Sequence, residues 1–186
     1  MAATVNAEIM KDTQATLKII NQMQAAGVIE QYAIGGAVAA AFYIEPTATF
    51  DIDIFIPLET VPGSSLVSLS PIFNYLTALG HQPDGAHIIV ENWQVQFLPA
   101  DDALYKEALL QATMTEVGGV KTRVMKAEHL MAIALRTGRA KDLIRLEQFI
   151  RYKVFDTDEL NQILSHHHLL EKWRQFNNKY IQNDNS

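Results

Sequence analysis

The segment Tyr32-Ala33-Ile34-Gly35-Gly36-Ala37-Val38 and the segment Thr49-Phe50-Asp51-Ile52-Asp53-Ile54-Phe55-Ile56 together decide the fold. In the second segment two acidic residues alternate with large apolar residues, which is the pattern of a β-strand. Side chains in a strand alternate between its two faces, so Asp51 and Asp53 project from the same face. Two neighbouring carboxylates repel each other unless they share a cation. The pair is therefore a candidate site for a divalent metal ion; the alternative is an exposed strand end with two solvated acids.

The first segment runs from a short apolar strand into the glycine pair Gly35 and Gly36, and then into an alanine-rich helix. Backbone N–H groups at such a turn can face an anion because no Cβ intrudes, and the N-terminus of a helix adds a favourable dipole. The turn is therefore a candidate phosphate site. An ordinary tight turn has the same sequence pattern and is the alternative.

Composition limits the class of protein. The chain has 186 residues, of which 48% are hydrophobic, so it suits one domain or a compact core with a helical extension. Its net charge of -6 argues against a general nucleic-acid coat, which needs clustered Lys and Arg. The chain contains no cysteine, which excludes disulfides and thiolate metal sites. Without an N-terminal targeting pattern or an apolar run of membrane length, we expect a soluble, cytoplasmic protein that does not enter a membrane.

Hydrophobic periodicity and turn residues predict an α/β (α+β) fold with a mixed β-sheet core, flanking helices and a C-terminal helical region. We expect a division into a core of residues 1–125 and a helical region of residues 126–186. The acids are expected at a sheet edge, facing a cleft walled by the C-terminal helices. The predicted strands are 31–34, 50–56, 87–90, 93–98, 113–117 and 120–125. The predicted helices are a first one ending near Gly27, then 37–43, 66–79, 102–112, 127–137, 140–152, 156–165 and 168–180.

Three features together resemble the signature of the nucleotidyltransferase superfamily that includes DNA polymerase beta. They are the pair Gly35-Gly36, a gap of 14 residues, and Asp51-Ile52-Asp53 between apolar residues. Within the superfamily, the chain most resembles the minimal and AbiEii-like toxin nucleotidyltransferases. The stretch from Gly138 to Asp142, Gly-Arg-Ala-Lys-Asp, resembles a later family element in which a Lys-Asp pair opens a C-terminal helix. The resemblance covers residues 30 to 152.

The resemblance implies a nucleotidyltransferase-like fold and a nucleoside triphosphate as substrate. It places phosphate on Gly35 and Gly36, and Mg²⁺ or Mn²⁺ on Asp51 and Asp53. The implied activity is transfer of a nucleoside monophosphate to a hydroxyl group of RNA, a protein or a small molecule. In-line displacement at phosphorus needs charge neutralised on the attacking and leaving oxygens, which a divalent ion can do.

Family members that catalyse usually carry a third carboxylate on a neighbouring strand, and here the expected position is Gln96. A neutral amide is a weak ligand for a hard cation. Glu91 and Asp101 are possible substitutes, although neither has the family's spacing. Gln96 therefore favours a second function: a catalytically degenerate nucleotide-binding module, or the interaction half of a toxin–antitoxin pair. The intact glycine pair and acid pair favour the enzyme.

In the later motif, the resemblance implies that Lys141 contacts phosphate and makes Asp142 a candidate general base. The position where the family often has a second acid is occupied by Arg145. Other basic residues that could hold a triphosphate are Lys121, Arg123, Lys126, Arg136 and Arg139. The run of histidines at 166–168 is predicted to be a structural or surface run and not a metal site, because consecutive helical residues point in different directions whereas chelation by two His needs i, i+4 spacing.

Overall fold

The computed structural model describes residues 2–47, 49, 51–57 and 68–184. The strands within this part are β1 (Ala33–Ile34), β2 (Asp51–Pro57), β3 (Gln82–Asp84), β4 (His87–Val90), β5 (Trp93–Ala100), β6 (Thr113–Val117) and β7 (Val120–Val124). The helices are α1 (Ala2–Ala25), α2 (Gly36–Ala40), α3 (Ser70–Ala78), α4 (Ala103–Leu110), α5 (Ala127–Thr137), α6 (Ala140–Tyr152), α7 (Thr157–His166) and α8 (Leu170–Asp184). Of these helices, none combines the length and the apolar character that crossing a bilayer requires.

The strands form one mixed sheet in the order β3-β4-β5-β2-β1-β7-β6. The β2–β5 and β1–β7 pairs are parallel and the other pairs are antiparallel. Helices pack against this sheet, α4 against β2 and β5, and α1 against β6 and β7. The predicted mixed sheet with flanking helices is therefore confirmed.

The strand that carries the acids is the fourth of the seven, so the expectation of a sheet edge is wrong. The reason is that β5 pairs along the whole of β2 on one side, while β1 pairs with it on the other. Strand β1 is only two residues long and pairs with Ile54 and Phe55. Among the described strands, the acid-bearing half of β2 therefore has a partner on one side.

Most predicted elements are present with shifted ends. The helix predicted over 37–43 is α2, which is shorter and is followed by a turn through residue 43. The helix predicted over 66–79 begins at Ser70, with Pro71 in its first turn; residues 66 and 67 lie outside the described part, as does Phe50 of the strand predicted over 50–56. The exposed strand β3 was not predicted, since Gln-Pro-Asp lacks the β-branched and aromatic residues typical of strands.

Helix α5 is the central helix of the C-terminal part, and it contacts α2, α4, α6, α7 and α8. It ends at Gly138, which has the left-handed conformation common after helices. Arg139 then occupies the N-cap position of α6, without a capping hydrogen bond from its side chain. This tight connection brings the first turn of α6 beside the end of α5, and residues of both helices line the cavity described next.

Candidate active site

A cavity of about 310 Å³ lies between the acid-bearing face of the sheet and helices α4, α5 and α6. Its acidic residues are Asp51, Asp53 and Asp142, and its basic residues are Arg139, Lys141 and Arg145. Its apolar side chains include Phe55, Leu98, Tyr105, Leu130 and Ile133. The expected cleft walled by C-terminal helices is thus present, and charges of both signs share it.

Asp51 and Asp53 both line the cavity, while Ile52 and Ile54 are fully buried on the other face of β2. The predicted placement of the two acids on one face is therefore confirmed. Asp51 accepts a hydrogen bond from the Thr49 hydroxyl. Burial raises the pKa of Asp53 above its usual value, and the neighbouring Asp51 charge raises it further, against a smaller opposing effect of nearby cations. Two half-buried oxygen donors that repel each other fit a hard divalent cation.

The two glycines of the turn have different surroundings. Gly36 lines the cavity with a positive φ of 58°, and the Asp53 carboxylate occupies the space that a side chain at this position would need. Gly35 is absent from the described lining, and its N–H donates to the Asp53 carbonyl at 2.9 Å. A Cβ on Gly35 would overlap the Phe55 ring. Gly36 therefore allows the acid to approach the turn, whereas Gly35 allows the turn to pack on the sheet.

Gln96 pairs directly with Asp53 in the β2–β5 register, and it lines the cavity. The structure thus places Gln96 on the neighbouring strand beside the acids, as the sequence predicts. Glu91 and Asp101 are exposed, and neither is among the described residues that line the cavity. Within the described part of the chain, β5 supplies an amide and not a carboxylate to this site.

The first turns of α6 supply a cluster of charges. Asp142 is buried, with its side chain 3% exposed, and it forms ion pairs with Arg139 at 2.6 Å and with Arg145 at 3.6 Å. Lys141 is exposed at the cavity. Arg145, which looked like a departure from the family pattern, is thus a further cation of the site. Its spacing of four residues from Lys141 places the two on one helix face and is the signal that could have identified it.

The other four basic candidates, Lys121, Arg123, Lys126 and Arg136, are not among the described residues that line the cavity. Lys126 is ion-paired with Glu159 at 2.6 Å, and Arg136 with Asp102 at 2.8 Å. The Arg123 guanidinium donates to three backbone carbonyls at the end of α4 and the residues after it. The structure therefore gives Arg123, Lys126 and Arg136 contacts that stabilise the fold.

No protein-family model and no curated protein matches the chain. Among solved structures, the chain is similar to an antigenic nucleotidyltransferase-like protein from Paracoccidioides brasiliensis, with a TM-score of 0.52, 15% identity, and coverage of 91% of this chain and 92% of that one. A second likeness is to ANT(2")-Ia in complex with adenylyl-2"-tobramycin, with a TM-score of 0.47, 14% identity, and coverage of 89% and 98%. The second is too weak to add to the first. The chain therefore has a nucleotidyltransferase-like fold.

Proposed function

We propose that this protein binds a nucleoside triphosphate in the cavity and transfers its nucleoside monophosphate to a hydroxyl acceptor, with Mg²⁺ or Mn²⁺ as cofactor. One observation carries the proposal: Asp51 and Asp53 line the same cavity as the basic residues of α6. An acid pair for a metal beside cations for phosphates is the arrangement that a metal–triphosphate substrate requires. The nucleotidyltransferase-like fold supports it.

In this proposal Asp51 and Asp53 hold the metal ion. They are the two carboxylates that share one face of β2, and the raised pKa of Asp53 reflects a negative charge that burial and Asp51 disfavour. A bound cation would remove that repulsion. It would also neutralise negative charge on the oxygens of the reacting phosphate. Because metal ligation needs ionised carboxylates, we expect metal affinity to rise with pH through the pKa of Asp53.

Lys141 is the proposed phosphate contact. Its ammonium is exposed at the cavity, and within the described residues it has no ion pair, so a phosphate can approach it. Arg139 and Arg145 add positive charge to the cavity, but each forms an ion pair with Asp142, which neutralises part of that charge. Asp142 is thus a positioning residue that orients two guanidiniums, in preference to the general base that the resemblance implied. In the turn, Gly36 is the glycine that reaches the cavity, so a phosphate contact is proposed for its backbone and not for that of Gly35.

The apolar part of the cavity is the proposed place for the nucleobase. Tyr105 and Phe55 lie against each other with ring centroids 5.1 Å apart. The Arg136 guanidinium lies over the Tyr105 ring, 4.4 Å from its centroid, and this cation–π contact holds the ring in place. Aromatic side chains stack on any base, so this surface binds a nucleotide without setting which base is preferred.

Gln96 supports a second candidate function, a nucleotide-binding module without turnover. The amide stands directly beside Asp53, where a third carboxylate would bind the metal that activates the acceptor. In this case the protein would sense or sequester a nucleotide, and a role as the interaction half of a toxin–antitoxin pair would follow. RNA and protein remain the acceptors to test first for the enzyme.

Incubation with each α-labelled triphosphate, Mg²⁺ or Mn²⁺, cellular RNA and cellular protein tests the two candidates. The enzyme predicts label on an acceptor with wild type and with Asp101→Asn, an exposed acid outside the cavity, but none with Asp51→Asn/Asp53→Asn. The binding module predicts metal-dependent nucleotide binding without label transfer, and Gln96→Glu is then expected to create transfer. Wild type that binds no nucleotide with either metal would exclude both functions.

A further inference from the structure

The end of α7 holds two histidines in a fixed position. His168 follows with φ of 57°, its N–H donates to the Ser165 carbonyl at 3.2 Å, and the Leu169 N–H donates to the Leu164 carbonyl at 2.7 Å. These are the hydrogen bonds of a Schellman motif, with a histidine at the left-handed position where glycine is usual. The chain therefore turns sharply just after His167.

His166 and His167 converge on one carboxylate oxygen. Nδ1 of His166 lies 3.0 Å from Oε2 of Glu107, and Nε2 of His167 lies 2.9 Å from the same atom. Neighbouring helical residues differ by about 100° in direction, but Nδ1 lies near the backbone and Nε2 at the far end of the ring. The two rings leave the helix in different directions, but the contacting nitrogens lie at different distances from the backbone, so both reach the same oxygen. These contacts agree with the prediction of a structural or surface run, whereas the expectation that consecutive histidines diverge does not hold for this pair.

The Glu107 carboxylate is held in place by a contact with a buried histidine. Its other oxygen, Oε1, lies 3.3 Å from Nε2 of His129, a fully buried residue of α5. Glu107 is itself mostly buried, whereas the His166 side chain is 72% exposed. The three converging atoms are therefore fixed on one side by the protein and open to solvent on the other. A hydrogen bond to the free oxygen of a ligating carboxylate is the usual second layer of a metal site.

We propose that Glu107, His166 and His167 bind a divalent transition-metal ion of the Zn²⁺ class. One ligand atom from each residue lies within 4.8 Å of the other two. Ligand atoms at about 2.0–2.2 Å from Zn²⁺ stand roughly 3.3 Å apart in a tetrahedron, so small side-chain shifts suffice. Two imidazoles and one carboxylate form a donor set that Zn²⁺ accepts and Mg²⁺ does not favour. The fourth position faces solvent, where water completes the tetrahedron.

The surroundings favour a cation. Asp156, Asp158 and Glu159 line the same groove as Glu107 and His166, and of these acids Glu159 is ion-paired with Lys126. The resulting negative potential raises the local concentration of divalent ions. This site is separate from the acid pair of β2 and does not depend on the proposed nucleotide chemistry. A bound ion would connect α4 to the end of α7, and α4 also carries Tyr105 of the cavity.

Calorimetric titration of the metal-free full chain with Zn²⁺ alone tests the proposal. In a second experiment Co²⁺ replaces Zn²⁺, and its visible absorption reports ligation by imidazole. We expect one equivalent to bind at this site, a rise in Tm, and a loss of affinity of that equivalent of about 100-fold or more in His166→Ala and in His167→Ala. The control His168→Asn keeps a residue that tolerates the left-handed conformation and is expected to bind as wild type does.

Two further variants separate this site from the others. Glu107→Gln is expected to lower Zn²⁺ affinity, while Asp51→Asn/Asp53→Asn is expected to leave it unchanged. His166 is largely exposed, so its replacement should leave the fold intact, which an unchanged Tm without metal would verify. Zn²⁺ binding that is absent in wild type, or equal in wild type, His166→Ala and His167→Ala, would overturn the proposal.

Discussion

The Asp53 carboxyl carries an electrostatic cost in the folded protein. Burial is the largest cause of its raised pKa, and Asp51 adds to it, while Lys141, Arg145 and Arg139 only partly offset the effect. A protein that needed only a stable fold would have an amide or an apolar residue here. The acid therefore points to a function that uses the charge.

Asp53→Asn is expected to stabilise the metal-free protein near neutral pH. A folded pKa above the unfolded one means that ionised Asp53 destabilises the fold, fully above the folded pKa and not at all below the unfolded pKa. The gain in Tm should therefore shrink as pH falls towards about 4, where carboxyls protonate. Thermal unfolding of wild type, Asp53→Asn and the exposed control Asp101→Asn across pH measures it. A wild type more stable than Asp53→Asn at neutral pH without metal would contradict this account.

Asp142→Ala is expected to lower the free energy of unfolding by about 3 kcal/mol, because it leaves the largely buried Arg145 without its partner. The matched control is Glu171→Ala, which removes an exposed i, i+3 partner of Arg174 and should cost less than about 1 kcal/mol. Urea unfolding gives both values. Equal small effects would contradict the claim that the buried ion pairs of Asp142 stabilise the fold.

At this scale the sequence predicts the acids well and the cations poorly. Alternation places Asp51 and Asp53 on one face whatever the tertiary structure is, because strand geometry alone decides it. Whether a Lys or Arg reaches a cavity depends on the packing of helices that are distant in the chain. In the sequence, Arg145 stands out only because it replaces a family acid. The structure shows that its side chain lines the cavity.

The turn between β1 and α2 is the element that connects the acids to the proposed phosphate site. Hairpins β4–β5 and β6–β7 were predicted closely because their turn residues lie between clear strand patterns, as at Glu91-Asn92 and Gly118-Gly119. The sequence also predicts the turn at Gly35 and Gly36, but not the different roles of the two glycines. Gly35 makes room for Phe55 and Gly36 makes room for Asp53, and both of these side chains come from another strand.

Gly36→Ala is expected to destabilise the protein more than Gly27→Ala. Both glycines have positive φ, 58° and 73°, so each substitution incurs backbone strain of about 1–2 kcal/mol. A Cβ on Gly27 meets nothing within 4 Å, whereas one on Gly36 overlaps the Asp53 carboxylate. The difference between the two unfolding free energies reports that overlap. In addition, Gly36→Ala should weaken metal-dependent nucleotide binding and Gly27→Ala should not; equal effects of both on stability and binding would contradict this role of Gly36.

On the scale of the whole molecule, the cavity is assembled from α2, β2, β5, α4, α5 and α6, which lie between residues 36 and 152 of the chain. Sequence periodicity predicts these elements but not their neighbours, since the strand order depends on crossovers between distant segments. The resemblance to a family supplied one neighbour, the strand predicted over 93–98 beside the acids, and the structure confirms that pair and the mixed sheet. The proposed division between residues 125 and 126 stays a prediction. Helix α5, which follows it, packs on helices from both sides of the division.

The measurement that tests the central claim most directly is calorimetric titration of the protein with a nucleoside triphosphate in the presence and absence of Mg²⁺ or Mn²⁺. The account predicts metal-dependent binding to wild type, its loss in Asp51→Asn/Asp53→Asn, and a clear reduction in Lys141→Ala. The matched control Lys121→Ala changes a basic residue that is not among the described lining of the cavity, and it should bind as wild type does. Binding that is independent of metal, or that survives the double Asp variant and Lys141→Ala, would contradict the claim that this cavity is a metal–nucleotide site.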